Sequence, residues 1–166
     1  NAGFGHLRWS RKLTDYISRE AFGQSQFDER IKIGYRGLLG TGPRFSLFVA
    51  GKQKLFWGIL YMFEYNELND GEGEAYFRDD RLSISLSAQL QLSPTLRVAN
   101  TSYYQPVLST LSEARLSSGT SVQLKINSHL SFVTTFNITY DARIAAEVGG
   151  VPKTIHRLTH RIRWVF

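Results

Sequence analysis

No cysteine occurs among the 166 residues, and methionine is reduced to one and proline to four. The missing thiols exclude a disulfide framework, thiolate zinc sites and cysteine nucleophiles together. Long hydrophobic runs are missing too. The longest near-continuous one, Leu55 to Phe63, is nine residues, about half of what an α-helix needs to cross a hydrocarbon core of roughly 30 Å. A basic run is also absent. Lys and Arg number 20 against 14 Asp and Glu, a net charge of +6 with a pI of about 9.7, yet they are scattered singly from Arg8 to Arg163. A nucleic-acid binder gathers them on one face or in a run, so nucleic acid is not an expected partner. What remains is an ordered composition, 42% hydrophobic and 13% aromatic, at about the length of one domain. The chain opens at Asn1 with neither an initiator Met nor a signal peptide, which reads as a fragment.

The hydrophobic pattern has period two nearly throughout, the mark of half-buried strands. Leu82, Ile84, Leu86, Ala88, Leu90 and Leu92 alternate with Ser83, Ser85, Ser87, Gln89 and Gln91. Val122, Leu124 and Ile126 alternate with Ser121, Gln123, Lys125 and Asn127. Phe132, Phe136, Ile138 and Tyr140 continue the pattern, and His156, Leu158, His160, Ile162, Trp164 and Phe166 close it against Arg157, Thr159, Arg161 and Arg163. No capped helical stripe appears. The fold is therefore expected to be all-β and antiparallel, and the choice lies between a soluble sandwich and a transmembrane barrel.

Three observations favour the barrel. Connections alternate in length: 141–154, 105–113 and 66–80 are long, whereas 127–129, 93–95 and 50–53 are short. Outer-membrane barrels have short periplasmic turns and longer extracellular loops. The polar stripe is rich in Ser, Thr, Gln and Asn, with Glu20, Glu64, Arg97, Gln123, Lys125, Arg157, Arg161 and Arg163 as expected lumen-lining residues. Aromatic residues gather near strand ends, with Trp9, Trp57, Tyr61, Tyr65, Tyr140, Trp164 and Phe166 as expected membrane-interface rings.

Strands are expected near 3–13, 16–27, 30–49, 54–65, 81–92, 95–104, 114–126, 129–140 and 155–166. The third keeps one phase through Ile31, Ile33, Tyr35, Leu39, Phe45, Leu47 and Val49, yet contains Gly37, Gly40, Gly42 and Pro43. It is either a bent strand or a hairpin, giving nine or ten strands. With nine, a closed barrel with both ends in the periplasm is expected to need at least one strand before Asn1.

Phe4-Gly5-His6-Leu7-Arg8-Trp9, Glu20 to Phe27, Arg36 to Arg44, Tyr61-Met62-Phe63-Glu64-Tyr65, Asp80-Arg81-Leu82-Ser83, Tyr103-Tyr104-Gln105-Pro106, Thr139-Tyr140-Asp141 and Gly150 to Thr154 occur in an order and spacing that resembles the DUF481 family, the salt-induced outer-membrane proteins. The resemblance spans nearly the whole chain. It implies an outer-membrane β-barrel of about twelve strands, with a signal peptide and further strands before the matched region, and supplies no catalytic residues. Arg143-Ile144-Ala145-Ala146 departs from the family's proline-containing loop.

Candidate chemistry is thin. A rim protease would need an acidic pair and an Asp–His dyad, for which Asp79 with Asp80 and Asp141 with His156 lie near loop ends, although acidic pairs in loops are more often solvated turn formers. A lipid deacylase would want Ser, His and a carboxylate at the headgroups, but Ser128-His129 lies in a short turn, and His156 and His160 adjoin only Thr154 and Thr159. His156 and His160 stand about 13 Å apart on a strand at roughly 3.3 Å per residue, so they cannot share an ion. The loop carrying Asn66, Glu67, Asn69, Asp70, Glu72 and Glu74 offers hard oxygens for calcium without ordered spacing, and solvation explains it equally. Gly40-Thr41-Gly42-Pro43 lacks the following helix that a phosphate cradle requires. No cofactor or metal is expected.

The expected function is a non-enzymatic outer-membrane barrel with an Arg-rich, largely filled lumen, in a structural role or as a subunit of a larger outer-membrane assembly. The alternative is a narrow, weakly anion-selective pore. Expected partners are outer-membrane lipid and lipopolysaccharide, other outer-membrane proteins, and the barrel-assembly machinery through the C-terminal Phe166, with the C-terminus periplasmic.

Overall fold

The computed structural model describes residues 1–29, 33–69, 74–141 and 152–164. Among these the chain forms nine strands: β1 (Ala2–Lys12), β2 (Ile17–Asp28), β3 (Ile33–Ala50), β4 (Gln53–Asn69), β5 (Glu74–Gln91), β6 (Leu96–Pro106), β7 (Ala114–Lys125), β8 (Leu130–Asp141) and β9 (Thr154–Trp164). They pair in chain order, each antiparallel to the next, in one sheet with β1 and β9 at its edges. The sheet is curled into a half-barrel. Phe4, His6 and Arg8 of β1 and Ile155 and Arg157 of β9 line the same cavity of about 780 Å³.

The segment from Ile33 to Ala50 is one strand, so the strand count is nine. Its glycines and Pro43 do not turn the chain. They lie in the ladder with β2, while the pairing to β4 skips from Thr41 to Arg44, as expected where Pro43 has no N–H to give. Gly42 is needed for closeness: a Cβ there would stand 2.3 Å from the Ile59 carbonyl oxygen of β4. The turn into β4 uses Gly51 at φ 57°, a left-handed conformation that glycine adopts freely.

The expected long connection from 66 to 80 is instead mostly strand. β4 runs to Asn69 and β5 starts at Glu74, because Tyr65 to Asn69 and Glu74 to Arg78 pair in continuous register. The end that carries the 107–113 and 142–153 connections still has the longer loops. The opposite end has three turns of one design. In each, a side-chain oxygen accepts two backbone N–H groups: Thr14 from Tyr16 and Ile17, Ser93 from Thr95 and Leu96, and Asn127 from His129 and Leu130. Small polar residues favour such turns because their side chains satisfy the local backbone. The departing loop at 143–146, and Phe166, lie outside the described residues.

Alternation and register together sort side chains onto two faces. The concave face carries the Ser, Gln, Asn and charged positions, and the convex face carries the apolar ones, many well exposed: Leu7 79%, Ile162 73% and Leu39 65%. The buried apolar residues Leu38, Leu60 and Met62 share the concave phase of Arg36 and Glu64, so what core there is lies inside the curl beside the charges.

Candidate functional site: an ion cluster inside the curl

Neighbouring strands bring a compact set of charges together on the concave face. In register, Arg36 stands opposite Asn66, Glu64 opposite both Leu38 and Asp79, Met62 opposite Arg81, and Arg115 opposite both Gln105 and Asp141. Glu64 is 0% exposed and is surrounded by three guanidinium groups. Arg81 Nε lies 2.6 Å from Oε2, Arg115 Nη2 2.7 Å from Oε1 and Arg36 Nε 3.3 Å from Oε1. Arg115 is bidentate, its Nη1 donating to Oε2 at 3.3 Å, the fork geometry that suits a carboxylate. Asn66 Nδ2 donates to Oε1 at 2.6 Å, and Asn66 Oδ1 accepts from Arg36 Nε.

Two further carboxylates balance the charge. Asp141 Oδ2 accepts from Arg115 Nε at 2.7 Å, and Asp79 Oδ2 from Arg81 Nη2 at 3.3 Å. Arg81 also donates to the backbone carbonyls of Gln105 and Glu113, tying both stems of the 107–113 loop to β5. Two donors, Arg36 Nη2 and Arg81 Nε, have no hydrogen-bond acceptor among the described residues. The close approach of Arg81 Nε to Glu64 is thus an ion contact made off the N–H axis.

The contact between Glu64 on β4 and Arg115 on β7 crosses three inter-strand steps, roughly 14 Å along a flat sheet at about 4.8 Å per step. Parallel side chains on a flat sheet would not meet over that span. The cluster therefore depends on the curl and holds it. The Glu64 carboxylate, with no exposed surface and three cations against it, is an ion-paired tie between β3, β4, β5 and β7.

A second, looser set lies lower on β1–β4. Glu20 accepts from Arg44 Nη1 at 2.9 Å and faces Arg8 at 3.9 Å, while the Arg44 guanidinium sits 4.2 Å from the centre of the Phe56 ring.

All eight residues expected in a lumen occupy the concave phase. Glu20 and Glu64 are the centres of the two clusters. Gln123 stands opposite Arg97, and Arg97, Lys125, Arg157, Arg161 and Arg163 have no carboxylate partner among the described residues. Arg97, Gln123, Val133 and Arg161 form one cross-strand row, with Lys125, Ser131 and Arg163 in the next. Of the expected interface aromatics, Trp9, Trp57, Tyr61, Tyr65, Tyr140 and Trp164 lie on the convex phase. Phe166 lies outside the described residues.

The candidate catalytic pairs are taken apart by the pleat. Asp79 points into the curl while Asp80, one residue on, hydrogen-bonds to the Tyr61 hydroxyl on the convex face. Asp141 is held by Arg115 inside, whereas His156 stacks on Phe136 and His160 on Phe132 outside. Ser128 and His129 bond to each other in an exposed turn. Asn66 is committed to the ion cluster, Glu67 pairs within the β4–β5 ladder, and Asp70 and Glu72 lie outside the described residues. Among the described residues no group of three His, Asp or Glu side chains is placed to hold a metal.

Sequence reasoning misses Arg36, Arg81 and Arg115 as partners of Glu64. The signal is present in their phase: each occupies the polar position of its own alternation. Strands expected to stop at 65 and to begin at 81 hide Asn66 and Asp79 from that pattern.

The convex face is interrupted on β6–β7 by a polar group that satisfies itself. Asn100 Nδ2 donates to Ser118 and Thr120 at 3.0 and 2.9 Å, and Ser102 donates to Asn100 Oδ1 at 3.0 Å.

A family model described as a protein of unknown function, DUF481, matches residues 1–153. No curated protein and no solved structure matches the chain.

Proposed function

The chain belongs to the DUF481 family, and from that premise we propose that it is a non-enzymatic outer-membrane β-barrel whose lumen is filled at the long-loop end by the Glu64 cluster. Its role is structural, or that of a subunit in a larger outer-membrane assembly. The observation that carries the reading is a fully buried carboxylate locked by three arginines on the concave side of a sheet whose convex side is apolar and exposed. A soluble β-protein has the reverse arrangement, with charge outside and apolar residues within. Exposed apolar surface on this scale marks a membrane or partner contact.

Closure follows from direction. With nine strands, β1 and β9 run the same way, so an antiparallel junction between them requires an odd number of further strands. The expected total of about twelve supplies three. In this reading the short turns and the C-terminus face the periplasm, the long loops meet lipopolysaccharide, and Phe166 addresses the barrel-assembly machinery.

The second reading, a narrow and weakly anion-selective pore, is favoured by the rows of cations at Arg97, Lys125, Arg161 and Arg163, which have no carboxylate partner among the described residues. Planar-bilayer conductance separates the two. Protein that is folded by the criterion of heat-modifiable migration and gives no steps has a filled lumen. Discrete, salt-dependent steps with an anion-selective reversal potential refute the filled-lumen reading.

A further inference from the structure

Arg11 of β1 and Arg19 of β2 are direct partners in the ladder. Like charges facing each other across a strand pair are destabilising. Both are exposed, and neither has an ion-pair, hydrogen-bond or ring partner among the described residues. The nearby carboxylates are already engaged: Asp15 holds Lys12 at 2.7 Å, and Glu20 faces the concave side with Arg44 and Arg8. The pair shares the phase of Leu7 and Trp9, so it projects from the convex face. It lies within two residues of the strand ends at Lys12 and Ile17, between half-exposed Trp9 and the exposed Leu13 and Tyr16 of the turn. Two unneutralised guanidinium groups thus sit in an otherwise apolar surface, beside rings of the kind that settle at headgroup depth.

We propose that Arg11 and Arg19 clamp the phosphate of an anionic glycerophospholipid at the short-turn end of the β1–β2 hairpin. This deepens, and rests on, the reading of the chain as a membrane-spanning barrel. Direct cross-strand partners have Cβ atoms about 4.5–5.5 Å apart, so both planar forks converge on the non-bridging oxygens of one phosphodiester. The bound negative charge removes the repulsion between the two arginines. The carboxylates nearest the pair are engaged elsewhere and none is left to receive a choline or ethanolamine ammonium, so a lipid of net negative charge is preferred to a zwitterionic one. Trp9 and Tyr16 flank the glycerol and the first acyl carbons.

The test compares the full chain, refolded into vesicles of phosphatidylcholine alone and of phosphatidylcholine mixed with phosphatidylglycerol, with an Arg11→Gln/Arg19→Gln variant. Lipid retained on extraction is measured by native mass spectrometry. Each near-surface arginine contributes roughly fivefold in lipid affinity, so phosphatidylglycerol should be held roughly thirtyfold more weakly by the double variant. In phosphatidylcholine alone that variant should resist urea as well as, or better than, the parent, because a like-charge pair has been removed. A Lys52→Gln/Lys54→Gln variant removes two charges from the same end and should retain phosphatidylglycerol like the parent. Equal losses in both double variants, or no loss in either, overturn the clamp. Displacement of the lipid by inorganic phosphate assigns the site to a free anion and overturns the lipid assignment. Failure of the parent to insert into either vesicle overturns the membrane reading itself, a result distinct from loss of lipid preference alone.

Discussion

Glu64→Gln removes one negative charge from a cluster of three arginines and three carboxylates while keeping its shape. The parent set of Arg36, Arg81 and Arg115 with Glu64, Asp79 and Asp141 is balanced; the variant leaves one positive charge in excess among buried side chains. Contacts of 2.6, 2.7 and 3.3 Å each correspond to a gross attraction on the order of 5 kcal/mol at an effective dielectric constant of about 20. Mutual repulsion of the arginines and desolvation, several kcal/mol per ion, offset most of that sum. The introduced amide also places a donor against Arg81 or Arg115, where only an acceptor fits. Removing one partner of such a buried set costs about 3–5 kcal/mol, and that is the expected loss of unfolding free energy. The assay is urea unfolding of refolded protein followed by tryptophan fluorescence, with heat-modifiable migration as the check that a native state is reached. A double-mutant cycle with Arg36→Gln should show coupling above about 1 kcal/mol, because the two side chains are in contact. A loss below about 1 kcal/mol for Glu64→Gln would refute the idea that the cluster locks the curl.

Arg161→Ala should change unfolding free energy by less than about 0.5 kcal/mol, since Arg161 is exposed and has no carboxylate partner among the described residues; a loss near that of Glu64→Gln would place an acid against it. Gly42→Ala should cost about 1–3 kcal/mol by overpacking against the Ile59 carbonyl, whereas Gly5→Ala, whose new methyl meets nothing within 4 Å, should leave the urea midpoint nearly unchanged. Asn127→Ala removes the acceptor for two turn N–H groups and should cost about 1 kcal/mol, with faster amide exchange confined to His129 and Leu130.

The strands of the second half are legible because alternation there is uninterrupted. Leu82 to Leu92 reads unambiguously as a two-faced strand, and the structure places its serines and glutamines inside and its leucines outside. The segment 33–50 is ambiguous in sequence because glycine and proline signal turns locally. Its outcome as a strand is decided by partners on both sides, β2 and β4, that supply hydrogen bonds along its length. The hairpin around 70 reads short for the opposite reason: polar residues such as Glu67 and Arg78 look like loop, yet pairing continues through them.

The sequence by itself determined the class, the two-faced pattern and which side chains share a face, since period two in a pleated strand leaves no other arrangement. It also named Glu20 and Glu64 as inward carboxylates. Which arginines they meet was decided only in three dimensions. Arg36, Glu64, Arg81 and Arg115 lie on four strands spread over much of the chain, and phase says which face a residue takes without saying which neighbour it reaches. Register sets the height of each side chain and curvature sets the distance across the interior. Both arise from the packing of the whole sheet, so the buried ion cluster and the opposed pair of Arg11 and Arg19 exist as sites only in the folded chain.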